Sequence, residues 1–228
     1  MLLAFVSSVA VVKNKLTVAA GFWGAITGFI IFIGSGWVGI VMLATFFVLG
    51  TVSTSFSMDK KQQLGLVSKE ESKRTTGQVF ANAGVAVMLS LLTLLLPAEK
   101  IVLLLMLAAS FASATADTMS SELGNVFGSQ YFNIITFKKD KRGLNGVVSF
   151  EGTLIGIVGS IFIAFLYACF CRFDNRLLII VIAGAIGNIA DSVLGATAEQ
   201  SGLLTNNQVN FLNTLTGAVV ALGLFHFI

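Results

Sequence analysis

The sequence predicts an all-α, polytopic integral membrane bundle of about eight transmembrane helices around a cytoplasm-facing polar cavity. Three observations carry that class. Of the 228 residues, 56% are hydrophobic and only 11% charged, less than half the ~25% charge of a soluble domain. Mean hydropathy is +0.91, leaving too little polar surface to coat a soluble globule. That excludes a cytosolic globular enzyme and a disordered chain. The apolar runs, such as 38–49 and 101–109, are unbroken rather than alternating, which selects helices over a barrel.

Taken in order, the apolar runs place spans at roughly 2–12, 16–33, 37–57, 76–96, 101–120, 147–170, 177–199 and 209–227, within one membrane domain over 1–228. The first run has no basic region ahead of it, and Lys13-Asn14-Lys15 is no small-residue cleavage site, so it reads as a short span rather than a signal peptide. The single proline, Pro97, falls in the turn 97–100, where a helix must stop.

Alternate loops divide the basic residues unevenly. Eleven of the fourteen Lys and Arg fall on one side: Lys13, Lys15, Lys60, Lys61, Lys69, Lys73, Arg74, Lys138, Lys139, Lys141 and Arg142. The other side holds Lys100, Arg172 and Arg176. The positive-inside rule makes the first side cytoplasmic and puts both termini outside. The net charge of +3 thus reports topology. It provides no sustained basic stripe, and no nucleic-acid partner is expected.

Polar residues inside the spans carry the functional signal. Arg74, Gln78 and Asn82 share one face of the fourth span, being four apart. The fifth carries Ser110, Ser113, Asp117 and Ser121, followed by Glu122. The sixth begins with Asn145, Ser149 and Thr153, beside Glu151 and Gly152. The seventh has Gly184, Gly187, Asn188, Asp191, Ser192, Gly195 and Glu199; the eighth has Asn206, Asn210, Asn213 and Gly217. Every stripe leans toward the cytoplasmic end of its helix, so five helices aim carboxylates and amides at one cavity.

Interhelical packing accounts for a single Asn or Ser, and for small pairs such as Gly152/Gly156 and Gly184/Gly187. It does not account for Asp117 and Asp191, because the sequence offers no Lys or Arg within a span to neutralise them. Buried carboxylates must be protonated or meet a cation. Asp117, Glu122 and Asp191 form an oxygen-rich set suited to Mg²⁺, and protonatable carboxylates suit a proton-coupled transporter equally well.

Other chemistry is excluded. No P-loop, HExxH or GxSxG motif is present. Two cysteines, Cys169 and Cys171, and one histidine, His226, rule out a Cys/His zinc site and a disulfide scaffold. The loop 125–142 carries Phe127, Tyr131, Phe132, Ile134, Ile135 and Phe137 before the basic run 138–142. It is expected to lie in the headgroup plane and guide a lipid head to the cavity.

At these same residues the chain resembles a known family over about residues 13–222. It is similar to the integral membrane proteins grouped as domain of unknown function 92, which include transmembrane protein 19 and the plant and cyanobacterial phytyl-phosphate kinases. Lys15-Leu16-Thr17 and the segment 46–55 resemble the family's opening hairpin. The segment 74–84 (RTTGQVFANAG) resembles its Gln-Val-x-Ala-Asn-Gly motif, and 116–124 (ADTMSSELG) its ADTxxSEhG motif, where h is apolar. The segment 188–196 (NIADSVLGA) matches DSxLGA, and 206–212 (NNQVNFL) the closing NNxxVNFL. One motif departs: Gly-Thr-x-Gly-Gly-Val-Ser stands here as Gly143-Leu144-Asn145-Gly146-Val147-Val148-Ser149. The loss of a hydroxyl and a glycine there is expected to alter nucleotide affinity or donor choice.

The resemblance implies a kinase that transfers a phosphoryl group from a nucleoside triphosphate, CTP or ATP, to an isoprenoid monophosphate, with Mg²⁺. In that reading Asp117 and Asp191 hold the metal, with Glu122 as third ligand or acceptor for a metal-bound water. Gln78, Asn82, Asn188, Asn210 and Asn213 orient phosphate or base. Lys138, Lys139, Lys141 and Arg142 neutralise phosphates, and Arg74, Ser121, Asn145, Ser149, Thr153 and Ser192 complete the substrate and nucleotide contacts. The order of the motifs also resembles that of CTP-dependent cytidylyltransferases, so nucleotidyl transfer giving a CDP-lipid is the enzyme alternative. A transporter or flippase of a phosphorylated lipid is the non-enzyme alternative. The oligomeric state, a homo-oligomer included, stays open.

Overall fold

A computed structural model describes residues 2–66 and 73–227; of the residues used above to assign sidedness, Lys69 lies outside this range. The helices are α1 (Leu2–Val12), α2 (Val18–Ser55), α3 (Met58–Gln63), α4 (Thr76–Leu95), α5 (Lys100–Phe127), α6 (Phe150–Phe170), α7 (Arg176–Leu194) and α8 (Asn206–Phe225). Six of the helical segments are long and apolar enough to cross a membrane. The protein is an integral, multi-pass helical membrane protein.

The second and third predicted spans are the two legs of α2. At Gly36 the backbone takes φ +64°, ψ −150°, a conformation that essentially only glycine tolerates. The chain folds back there. A Cβ added to Gly28 would stand 3.6 Å from Leu43 Cδ2, whereas a straight helix would put these residues roughly 22 Å apart. The turn is fastened to α4: Ser35 Oγ and Ser90 Oγ are 2.7 Å apart, and Thr93 Oγ1 donates to Gly34 O at 2.7 Å. Helix α1, at 11 residues, rises about 17 Å, roughly half the hydrocarbon thickness.

Helix α5 is the central post. Its Ala/Ser-rich middle is buried on all sides, including Leu105, Leu107, Ala108, Ala109, Phe111 and Ala112, as expected of a helix enclosed by others. It packs against α2, α4, α6, α7 and α8. The glycines read as packing devices act as such: a Cβ on Gly156 would stand 2.9 Å from Ala116 O, and one on Gly184 3.0 Å from Ala112 Cβ.

Several boundaries differ from the sequence reading. Helix α5 runs on to Phe127, seven residues past the expected end at 120, so the acidic motif lies within it. Helix α8 begins at Asn206 instead of 209. The segment 195–199 continues α7 as a π-turn, with i→i+5 bonds, so the seventh helical segment runs to Glu199 as expected. Pro97–Glu99 forms a single 3₁₀ turn between α4 and α5, where the proline was expected to end the helix.

Gly34 is the most constrained packing position, since a Cβ there would collide with the Ser90 backbone. Replacing Gly34 with Leu should destabilise the protein by at least about 1–3 kcal/mol. Thermal unfolding of the detergent-solubilised variant, followed by size-exclusion chromatography, checks this; an unshifted transition would contradict the tight hairpin.

Candidate active site

Because helices α2, α5 and α7 end where α4, α6 and α8 begin, six helix ends meet around one cavity of about 330 Å³. The three N-termini are capped by Thr75, Ser149 and Thr205. Their dipoles and free N–H groups give that side a positive character suited to phosphate. The C-terminal halves of α5 and α7 supply the carboxylates.

Asp117 and Asp191 face each other within hydrogen-bonding reach. Asp191 Oδ1 is buried and has no hydrogen-bond partner. Asn188 lies beside them, its Oδ1 accepting from Ser120 Oγ at 3.1 Å. The π-turn brings Glu199 into the same wall, in keeping with the concentration of π-bulges at functional sites.

The opposite wall is basic, and the chain builds it with a backbone bridge. Thr17 N donates to Arg74 O at 3.1 Å and Arg74 N to Lys15 O at 3.0 Å, which delivers Lys15 and Arg74 together. Lys15 Nζ donates to Ser55 Oγ at 2.8 Å. The Arg74 guanidinium lies 4.7 Å from the Phe46 ring centroid, a cation–π contact. Burial lowers its pKa to about 10, with Glu122 holding it up, so it remains a cation at neutral pH.

Asp117 and Asp191 have no Lys or Arg partner among the described residues, but Glu122 does. Helix α3 folds back under α5, and Lys61, only 1% exposed, pairs with Glu122 Oε2 at 2.6 Å. Its ammonium also donates to Ser53 O at 2.8 Å and Thr54 O at 3.1 Å, tying the end of α2 to α5. Glu122 therefore lines the cavity with one oxygen engaged by an internal cation.

A lid over the cavity is built by residues 128–149. Strands β1 (Phe132–Asn133) and β2 (Val147–Val148) pair antiparallel, and Gln200 Nε2 donates to Asn145 O at 2.8 Å. Gly143 and Gly146 have φ of +81° and +74°, and Gly146 packs directly on Ala196. These are the two glycines the family motif retains. Val147, where the motif has glycine, sits in the β-pair, which accepts a side chain. Leu144, in place of the motif's threonine, puts an apolar side chain on the cavity lining.

Of the predicted site residues, Arg74, Gln78, Asn82, Asp117, Ser121, Glu122, Asn145, Ser149, Thr153, Asn188, Asp191, Ser192 and Asn210 line this one cavity. Lys138, Lys139 and Lys141 do not: they are exposed on the outer side of the lid. Arg142 is tied down structurally, donating to Asn125 O at 3.2 Å and lying 5.0 Å over the Tyr131 ring. Asn213 is fully buried below the floor, hydrogen-bonded to Ser113 and adjacent to Asp191. It does not line the cavity. Lys15, Lys61 and Glu199 were missed as site residues. The first two sat in the charge count as loop residues, although Lys15 belongs to a motif shared with the family.

The donor set admits a divalent cation in one form. No group of three or more His, Cys, Asp or Glu converges among the described residues, so no all-protein cage exists. Two facing carboxylates with an unpartnered oxygen match Mg²⁺ bound through one or two carboxylates, waters and substrate phosphates.

Fold and site together define a polytopic helical membrane protein with a single-sided polar site that pairs acidic and basic walls. The chain belongs to the family described as Integral membrane protein DUF92, whose model matches residues 1–218. It is 31% identical to an uncharacterized membrane protein of Synechocystis, covering 94% of this chain and 85% of that one. It is 31% identical to an uncharacterized membrane protein of Methanocaldococcus jannaschii, with 86% and 80% covered. Against Protein VTE6, chloroplastic, of Arabidopsis thaliana it is again 31% identical, over 85% of this chain and 60% of VTE6. No solved structure matches.

The Lys61–Glu122 pair gives a direct test of the site's scaffold. Lys61→Met leaves Glu122 half-buried beside the cavity without its cation and should cost about 3 kcal/mol. The double variant Lys61→Met/Glu122→Met should recover most of that loss. Additive effects in a double-mutant cycle of thermal stability would show that the two residues do not interact.

Proposed function

We propose that the protein is a prenyl-phosphate kinase, acting on an isoprenoid monophosphate at the cytoplasmic membrane face with a nucleoside triphosphate and Mg²⁺. A terminal oxygen of the lipid phosphate attacks the γ-phosphorus, the bond from that phosphorus to the β,γ-bridging oxygen breaks, and the nucleoside diphosphate leaves. The products are a lipid diphosphate and that diphosphate. Such transfer asks mainly for positioning and charge neutralisation. The observation that carries the reading is the juxtaposition, in one cavity, of Asp117 and Asp191 with Lys15, Arg74 and three helix N-termini.

Asp117 and Asp191 are the residues that would hold the metal, which when bound shields the charge of the triphosphate. Arg74 and Lys15 hold the phosphates on the opposite wall. The N–H groups at the starts of α6 and α8 receive phosphate oxygens, with Ser149, Thr153 and Asn210 beside them. The lid, seated on Ala196 through Gly146, limits water at the reacting phosphorus. The resemblance to a family that includes phytyl-phosphate kinases supports an isoprenoid phosphate as acceptor. The cytoplasmic assignment and the outside termini rest on the basic residues: Lys15, Lys61 and Arg74 lie at the cavity end, and Lys100, Arg172 and Arg176 at the other.

The test uses purified protein with geranylgeranyl monophosphate, Mg²⁺, and CTP or ATP labelled at either the α or the γ phosphorus. The proposal predicts label in the lipid from the γ position only. Asp117→Asn and Asp191→Asn should each lower turnover by about 10²-fold or more. Label from the α position would make the protein a nucleotidyltransferase, and no transfer from either nucleotide would overturn the kinase reading.

A further inference from the structure

A second cavity, of about 120 Å³, lies between α1, both legs of α2 and α4. Its walls are almost wholly apolar, with Val6 from α1, Leu43 and Phe47 from the second leg of α2, and Gly24 from the first. At one end it meets the polar cavity, because Arg74 and Gln78 line both. The space beside Gly24 is open: a Cβ there would meet only Ser7 Oγ, at 3.9 Å.

An apolar groove inside a membrane domain, ending at a fixed guanidinium, has the chemistry of an amphiphile with one hydrocarbon chain and a phosphate head. Arginine suits the head because its planar fork donates two bonds to a phosphate at once. The Phe46 ring beneath it holds the guanidinium at the junction. One narrow groove takes one chain, which a two-chain glycerophospholipid does not match.

We propose that this groove holds the phosphate-proximal part of the hydrocarbon chain of an isoprenoid monophosphate, with Arg74 gripping the phosphate where the groove opens into the polar cavity. The assignment deepens the kinase reading and rests on it for the chemical class of the lipid. It places the acceptor on the α1–α2–α4 side and leaves the α5–α8 side for the nucleotide.

The full-length protein in detergent would be irradiated with a geranylgeranyl monophosphate carrying a diazirine near its head, and the labelled residues mapped by mass spectrometry. Label is expected on α1, the two legs of α2 and the start of α4. Gly24→Leu and Ala44→Trp fill the groove from positions with room and should each reduce that labelling at least tenfold, while binding of a fluorescent nucleotide stays unchanged. Excess unlabelled geranylgeranyl monophosphate should protect, and phosphatidic acid should not. Labelling confined to α5–α8, equal protection by phosphatidic acid, or undiminished labelling in both variants would each overturn the groove assignment. Phosphoryl transfer, measured on the same samples, separates the two readings. Groove labelling without transfer sustains the lipid site and rejects the kinase; transfer with labelling elsewhere does the reverse.

Discussion

The structure turns on one electrostatic constraint: two carboxylates, Asp117 and Asp191, face each other inside an apolar helical bundle. Like charges that close in a low dielectric demand a cation or a proton between them. The rest of the cavity supplies an environment in which a cation and its anionic partner are both welcome. Three helices begin there and present N–H groups; of the three that end there, α5 and α7 bring the acidic residues. The basic wall of Lys15 and Arg74 stands across from the carboxylates and does not pair with them, which leaves the space between open for a ligand carrying both charges. A metal-bound polyphosphate has that character.

The protein spends its other internal cation on architecture. Lys61 is fully buried and satisfied by Glu122 and two carbonyls at the end of α2. That clamp fixes α5 relative to the α2 hairpin and so sets the distance between the walls. The lid is similarly braced: Arg142 is held by Asn125 O and Tyr131, and Gly146 is seated on the π-turn that carries Glu199. The lid and the acidic wall therefore touch directly through residues 145–146 and 195–200.

Much of this was legible in the sequence because a bilayer makes polar residues conspicuous. The apolar runs located the spans, Pro97 located a turn, and four-residue spacing put Gln78, Asn82, Asp117, Asn188, Asp191 and Asn210 on faces that do converge. Charge counting was blind to tertiary return. It placed Lys15 and Lys61 in loops, but a backbone bridge carries the first into the cavity wall and a six-residue helix tucks the second under α5. The basic run 138–142 misled for the opposite reason: its density suggested phosphate contacts, while its lysines stand exposed and outside the cavity lining. Asn213 continued a visible stripe, and only three-dimensional packing shows that it ends beneath the floor, against Ser113. The π-turn left no periodic signature, since Gly195 and Glu199 keep an α-like spacing in sequence.

The central claim is that the facing carboxylates hold a metal–nucleotide complex across the cavity from the basic wall. Manganese is the spectroscopic substitute for magnesium that addresses it most directly. Pulsed electron paramagnetic resonance on the purified protein with Mn²⁺ and CTP or ATP should show one bound ion per chain with ³¹P couplings from the nucleotide. The signal should vanish when Asp117 and Asp191 are both replaced by asparagine. An Mn²⁺–nucleotide signal that survives loss of both carboxylates, or no bound ion in the folded wild-type protein, would contradict the account.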